Sequence, residues 1–180
     1  LATSEHEQKE FMKSILILGA GRSSTTLINY LIKAAEEHGW MVTVADTDLD
    51  IALSKTEHSK NASGVQLDVN DVAKRQDLIR DKTVVVSLLP AFLHPIVAKD
   101  CLEFSKHLVT ASYLNEDIRS MEQEALAKGL LFMGEMGLDP GIDHMSAMQK
   151  INEIKAEGAT LSAFYSYTGG LIAPESDDNP

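Results

Sequence analysis

Ile15-Leu16-Ile17-Leu18 runs directly into Gly19-Ala20-Gly21-Arg22-Ser23-Ser24, and helical spacing begins at once. Four apolar residues rich in branched side chains are too few for a buried helix, so the stretch reads as strand, tight turn, helix. Gly19 permits the turn, Gly21 permits something to approach the backbone, and Ser24 holds the third, small position. At a helix N-terminus such a turn suits a dinucleotide pyrophosphate, whose oxygens can reach backbone N–H groups only where no side chain intervenes. The pattern alone is weak. It gains weight from a second strand that ends in an acid roughly 20 residues on, where a carboxylate can accept from ribose hydroxyls. Met41-Val42-Thr43-Val44-Ala45-Asp46 supplies that strand.

Bulk composition narrows the partner classes. With 180 residues, 44% hydrophobic and 24% charged, the chain can bury one ordinary core and begin another. A formal net charge of -11 opposes a polyanionic partner, so nucleic acid is not expected. The single cysteine, Cys101, excludes an intrachain disulfide and points to a reducing, cytoplasmic setting. No apolar run approaches the roughly 20 residues that span a bilayer, and no basic-then-apolar leader opens the chain, so no membrane role is expected. No metal is called for.

Residues 1–12 are polar and without period, and read as a tail or linker. Leu27, Ile28, Leu31, Ile32 and Ala35 predict a helix closed by Gly39, and Leu49, Ala52 and Leu53 predict another over 49–60. A short strand, Gly64 to Leu67, ends on Asp68 and precedes a helix over 70–80. Asp68 suits either contact with adenine or support of that helix's N-terminus. Thr83 to Ser87 is the most apolar strand, as a central parallel strand should be. A helix with Pro95 near its start, a strand over 108–113, a helix over 115–128 stopped by Gly129, and a strand over 130–133 follow. Six strands alternating with helices predict an α/β, Rossmann-type doubly wound parallel sheet. The glycine-crowded turn Gly134 to Gly141 then leads into a helix with apolar Ile142, Met145, Met148, Ile151 and Ile154. Asp139 before Pro140 reads as its N-cap, with Asp143 and His144 in its first turn. Alternating Leu161, Ala163, Tyr165 and Tyr167 predict a last strand over 160–168.

Five segments are too specific for composition to explain. They are Ser87-Leu88-Leu89-Pro90, His94-Pro95-x-Val97-Ala98-Lys99, Val109-Thr110-Ala111-Ser112-Tyr113, Gly137-Leu138-Asp139-Pro140-Gly141-Ile142-Asp143-His144-Met145 and Ser166-Tyr167-Thr168-Gly169-Gly170. In order and spacing they resemble the glutamate-forming saccharopine dehydrogenases, over nearly all of residues 13–180. The resemblance implies reversible oxidation of the secondary amine saccharopine by a nicotinamide dinucleotide, with hydrolysis of the imine to glutamate and 2-aminoadipate 6-semialdehyde. It implies that Gly21, Arg22, Ser23, Ser24 and Thr25 cover the pyrophosphate, that Asp46 and Thr47 meet the adenosine ribose, and that Asp68 and Val69 lie near adenine. Ser87, Leu88 and Leu89 would line the dinucleotide, with Leu138, Asp139 and Pro140 at the nicotinamide end. Ser112 and Tyr113 would touch saccharopine, and Tyr113 and Asp139 are the candidates for proton handling.

Asp46-Thr47 stands where NADP-using members carry a base. A carboxylate there would repel a 2'-phosphate, which favours NAD, with NADP possible. Thr168 stands where members usually have Cys, and Ile172 where they have Pro, so no thiol can transfer a proton at 168. After Lys128 the only cations are Lys150 and Lys155, too few for three substrate carboxylates. The expected organisation is therefore a tail over 1–12, a dinucleotide-binding domain over 13–138, and over 139–180 the start of a truncated α+β catalytic domain. Such a piece should bind cofactor and turn over little or nothing, and a homodimer is possible. Two other readings stay open: a dehydrogenase of carboxyspermidine-type polyamines, and an NAD-sensing module without chemistry.

Overall fold

A computed structural model describes residues 13–167. Six strands form one parallel sheet: β1 (Ser14–Leu18), β2 (Met41–Asp46), β3 (Ala62–Gln66), β4 (Val84–Ser87), β5 (His107–Thr110) and β6 (Phe132–Met133). Their order is β3-β2-β1-β4-β5-β6, the doubly wound arrangement expected from the alternating pattern. Leu18 is level with Ala45 on one side and with Ser87 on the other, so β1, β2 and β4 finish together. The loops that begin at Gly19, Asp46 and Leu88 therefore leave from one edge.

The apolar run of β1 is buried on both faces, for a reason visible in its alternation. Ile15 and Ile17 face a cluster with Ile28 and Ala35 of α1 (Thr25–His38) and Ala52 of α2 (Leu49–Ser54). Leu16 and Leu18 face a second cluster with Ile79 of α3 (Val72–Arg80), and with Val97, Ala98, Cys101 and Leu102 of α4 (His94–Glu103). Ile118, Met121 and Ala125, from the segment holding α5 (Glu116–Arg119) and α6 (Glu122–Ala127), complete it. Behind this second face Arg75 of α3 and Asp100 of α4 pair at 2.5 Å, with side chains 7% and 5% exposed. Arg75 also donates to the Val69 carbonyl. Cys101, 0% exposed, has its thiol pushed up to about 12 by burial, with the neighbouring Asp100 charge adding to the effect.

The structure shortens or shifts several expected elements, the strand over 108–113 to His107–Thr110 and that over 130–133 to Phe132–Met133 among them, and four departures are larger. The helix expected over 49–60 stops at Ser54, because Thr56 turns its hydroxyl back to the Ala52 carbonyl at 3.0 Å and its N–H to Leu53. The helix expected over 115–128 is two short ones, broken where Ser120 donates to the Asp117 carbonyl at 2.7 Å. The final helix, α7 (Ile142–Ala156), begins too late for Asp139 to be its N-cap. Residues 137–141 form a closed turn instead, with Gly137 N–H donating to the Pro140 carbonyl and Ile142 N–H to the Gly137 carbonyl. No strand forms over 160–167: the segment is exposed and irregular, and no described residue offers it a ladder partner. Thr168 and Ile172 lie outside the described residues.

The chain divides into a unit through Ile142, which holds the sheet, and a unit from Asp143 onward. In the second unit α7 exposes Met145 and Met148, and His144 Nδ1 lies 2.8 Å from Asp143 Oδ1.

Candidate functional site

The sheet order reverses between β1 and β4, and a cleft of about 370 Å³ opens at the carboxyl ends of those strands. Gly19, Gly21, Asp46, Thr47, Asp68, Val69, Leu88 and Leu89 all line it. Gly19 has φ +100°, and a Cβ there would stand 3.0 Å from the Leu88 carbonyl oxygen, so glycine lets the turn pass close to the loop after β4. Backbone bonds fix both loops: Gly19 N–H donates to the Ala45 carbonyl and Leu88 N–H to the Leu18 carbonyl, each at 2.8 Å.

Gly21 is different. Its φ of -57° suits any residue, and a Cβ there would meet nothing within 4 Å. The chain's own packing does not require glycine at 21, and the absent side chain leaves open space beside the backbone there. That room stands at the head of a 3₁₀ turn, Arg22–Ser24, that runs into α1, and neither has an acid in its first turn. A pyrophosphate fits such a place.

Asp46 takes a part that sequence reasoning did not foresee. Its Oδ2 accepts the Ala20 N–H at 2.7 Å, and its Oδ1 accepts the Asp48 N–H at 3.1 Å and the Thr47 hydroxyl at 3.3 Å. The carboxylate thus holds the glycine turn against the loop after β2. Asp68 lies beyond the end of β3, where its Oδ1 accepts from Asn70 N–H at 2.9 Å. It does not cap α3; Asp71 does, accepting the Lys74 N–H at 3.2 Å.

Two site residues were missed. Lys55, the residue after α2, reaches the glycine turn from beneath: its Nζ lies 2.5 Å from the Ala20 carbonyl and 2.8 Å from that of Gly21. A lone lysine at a helix end gives no sequence signal. His94 was quoted only as part of a motif, yet it is 1% exposed and joins three hydroxyls at the ends of β4 and β5. Its Nδ1 lies 2.8 Å from Ser87 Oγ, and its Nε2 lies 2.8 Å from Ser112 Oγ and 3.1 Å from Thr110 Oγ1. Desolvation holds this imidazole below its ordinary range and keeps it neutral near pH 7. Ser87 is thus engaged beneath the cleft and does not line it.

At the same edge, beyond β5, the exposed Tyr113 donates its hydroxyl to Asp139 Oδ1 at 3.0 Å. Leu138 is exposed and Pro140 buried in the turn that presents Asp139. Ser23 and Thr25 are exposed and Ser24 is buried.

Family comparisons agree with this geometry. Residues 15–133 match the saccharopine dehydrogenase NADP binding domain, and residues 137–180 match the saccharopine dehydrogenase C-terminal domain. The chain belongs to the saccharopine dehydrogenase family. Saccharopine dehydrogenase [NADP(+), L-glutamate-forming] of Saccharomyces cerevisiae is 39% identical over 170 residues, which cover 93% of this chain and 37% of that protein. The mitochondrial alpha-aminoadipic semialdehyde synthase of Mus musculus is also 39% identical, over 93% of this chain and 18% of its own length. The apo S. cerevisiae saccharopine dehydrogenase (L-Glu forming) structure superposes with a TM-score of 0.79 at 38% identity, covering 93% of this chain and 37% of that one. The chain thus spans well under half the length of these saccharopine dehydrogenase relatives. A biliverdin reductase from Synechocystis, at 18% identity and a TM-score of 0.57, shares the fold alone.

The preference for NAD read from Asp46 has no support in these comparisons, where both the domain description and the fungal names specify NADP. Both oxygens of Asp46 are engaged by backbone N–H groups of the chain itself, those of Ala20 and Asp48. Among the described residues no helix is long and apolar enough to cross a membrane.

Proposed function

We propose that this chain carries the cofactor site of a glutamate-forming saccharopine dehydrogenase, with residues 13–138 as the dinucleotide-binding domain and 139–180 as the start of the substrate domain. The working cofactor in this reading is NADP(H). The observation that carries it is the cleft at the sheet's reversal point, where Gly21 leaves room that the chain does not itself use.

In this reading the N–H groups at the head of the 3₁₀ turn hold the pyrophosphate, and Leu88 and Leu89 give the dinucleotide an apolar wall. Arg22, exposed directly after Gly21, is the cation nearest in sequence for a further phosphate. When bound, the nicotinamide supplies the acceptor for hydride from the substrate carbon. Ser112 binds substrate from the end of β5, with its hydroxyl oriented by His94. Tyr113 and Asp139 handle the proton: the phenol O–H already donates to Asp139 Oδ1, so as the phenol oxygen takes a proton from the substrate amine it passes its own to the Asp139 carboxylate.

Calorimetric titration with NADPH and NADH tests the cofactor assignment. Binding of NADPH well ahead of NADH supports it; binding of NADH alone, or of neither, overturns it. Perturbation of the Ser112 and Tyr113 resonances by saccharopine in the presence of NADPH would support the substrate assignment, and unchanged resonances would count against it.

A further inference from the structure

We infer that Lys55 is a positioning residue for the cofactor's phosphates, acting through the glycine turn rather than by touching the ligand; this rests on the dinucleotide reading above. Its Nζ faces four oxygens: the Ala20 carbonyl at 2.5 Å, the Gly21 carbonyl at 2.8 Å, and the Ser24 and Thr25 hydroxyls at 3.1 Å each. Those hydroxyls donate their own hydrogens to the Gly21 and Arg22 carbonyls, at 2.7 and 3.2 Å, which leaves their lone pairs for the ammonium. An ammonium has three hydrogens, so the oxygens around Lys55 saturate it.

The consequence follows from peptide planarity. In a trans peptide the carbonyl and the next N–H point in opposite directions. By holding the Ala20 and Gly21 carbonyls beneath the turn, Lys55 aims the N–H groups of Gly21 and Arg22 to the other side, where the missing Gly21 Cβ leaves space. Asp46 fixes the same Ala20 residue from its N–H side.

Electrostatics favours the same conclusion. A cation at a helix N-terminus adds to the positive end of the dipole, which disfavours the helix unless an anion joins it. Here Lys55 and Arg22 lie at such an end with no acid in its first turn, and the carboxylate bonded to the turn, Asp46, offsets one of these two charges, which leaves one cation for an incoming anion. The placement is supported from below: a Cβ on Gly64 of β3 would come within 2.7 Å of the Ala52 and Leu53 backbone, so glycine there lets α2 sit low enough for Lys55 to reach the turn.

The test compares the 180-residue chain with its K55M and K55R variants for binding of NADPH, NADH and inorganic pyrophosphate, at two salt concentrations and well below each unfolding midpoint. The expectation is that K55M weakens all three by a common factor on the order of tenfold, with a shallower salt dependence, as removal of one short-range charge requires. K55R should recover part of the loss, because its planar fork keeps the charge but cannot meet four convergent oxygens. A lowered midpoint with unchanged affinity would reduce Lys55 to a structural brace and overturn the inference. A loss confined to NADPH would overturn it differently, by making Lys55 a direct reader of the 2'-phosphate. Failure of the unaltered chain to bind any of the three would remove the cofactor reading itself, and this inference with it.

Discussion

The two halves of the sheet hold their loops by opposite means. On the β1–β3 side the glycine turn lies between charged groups, the Asp46 carboxylate on its N–H side and the Lys55 ammonium on its carbonyl side. On the β4–β6 side the loop ends meet around His94, a neutral ring bonded to Ser87 and Ser112. Burial explains the difference. Asp46 and Lys55 keep part of their surface in water, whereas His94 is 1% exposed, and an ionised group there would meet a steep desolvation penalty. The first half therefore fixes its turn with a pair of opposite charges, while the second orients hydroxyls without adding charge.

The largest expected effect comes from the contact between α3 and α4, which ties the crossover out of the first half to the first helix of the second. Asp100→Ala would leave Arg75 charged and buried, and should destabilise the chain by about 3–5 kcal/mol in urea unfolding. Replacing both partners by apolar residues should restore most of the loss; if it did not, the pair would matter for more than its own charge balance. Next comes His94→Ala, which strands the buried Ser87 hydroxyl and should cost about 1–3 kcal/mol.

The same histidine carries a pH signature. Its pKa lies below the ordinary 6.5 in the folded state, so the unfolded chain binds more protons as pH falls. The stability it contributes is complete above about 6.5 and is lost as pH drops from there through the depressed folded value. A stability–pH profile for His94→Gln should be flatter over that acid window, and an unchanged slope would place the titrating group elsewhere. Asp46→Asn keeps an acceptor for the Ala20 N–H but turns an NH2 toward the exposed Asp48 N–H, and should lower stability by about 1 kcal/mol. Its effect should fall also on dinucleotide affinity, because it removes a negative charge from the cleft. The smallest effect belongs to Lys150→Ala, which breaks an exposed pair with Glu153 at 2.9 Å and should change the unfolding free energy by under about 0.5 kcal/mol.

Strong local patterns made most of the sheet legible in advance. The β1 run, the Gly39 cap and the alternation of strands with helices all follow from apolar spacing and glycine placement, and all are present in the structure. Helix ends were less legible where a hydroxyl competes for a backbone carbonyl, as Thr56 and Ser120 do, because periodicity says nothing of that competition. Over 160–167 the expected strand is absent, because alternation describes a face and provides no neighbour to pair with. At the site, Gly19, Gly21 and Asp46 could be found from spacing alone. Lys55 and His94 could not, since each matters through partners roughly 7 to 35 residues away.

The thiol on the buried face of α4 gives the chain a built-in clock. Cys101 is the only sulfhydryl in the sequence and has no surface exposure, so a colorimetric thiol reagent can label it only in molecules whose second core has opened. Labelling rate against temperature would then report the opening of the core on that face of the sheet directly. Saturating the cleft with a dinucleotide should slow the labelling if ligand binding is coupled to that core.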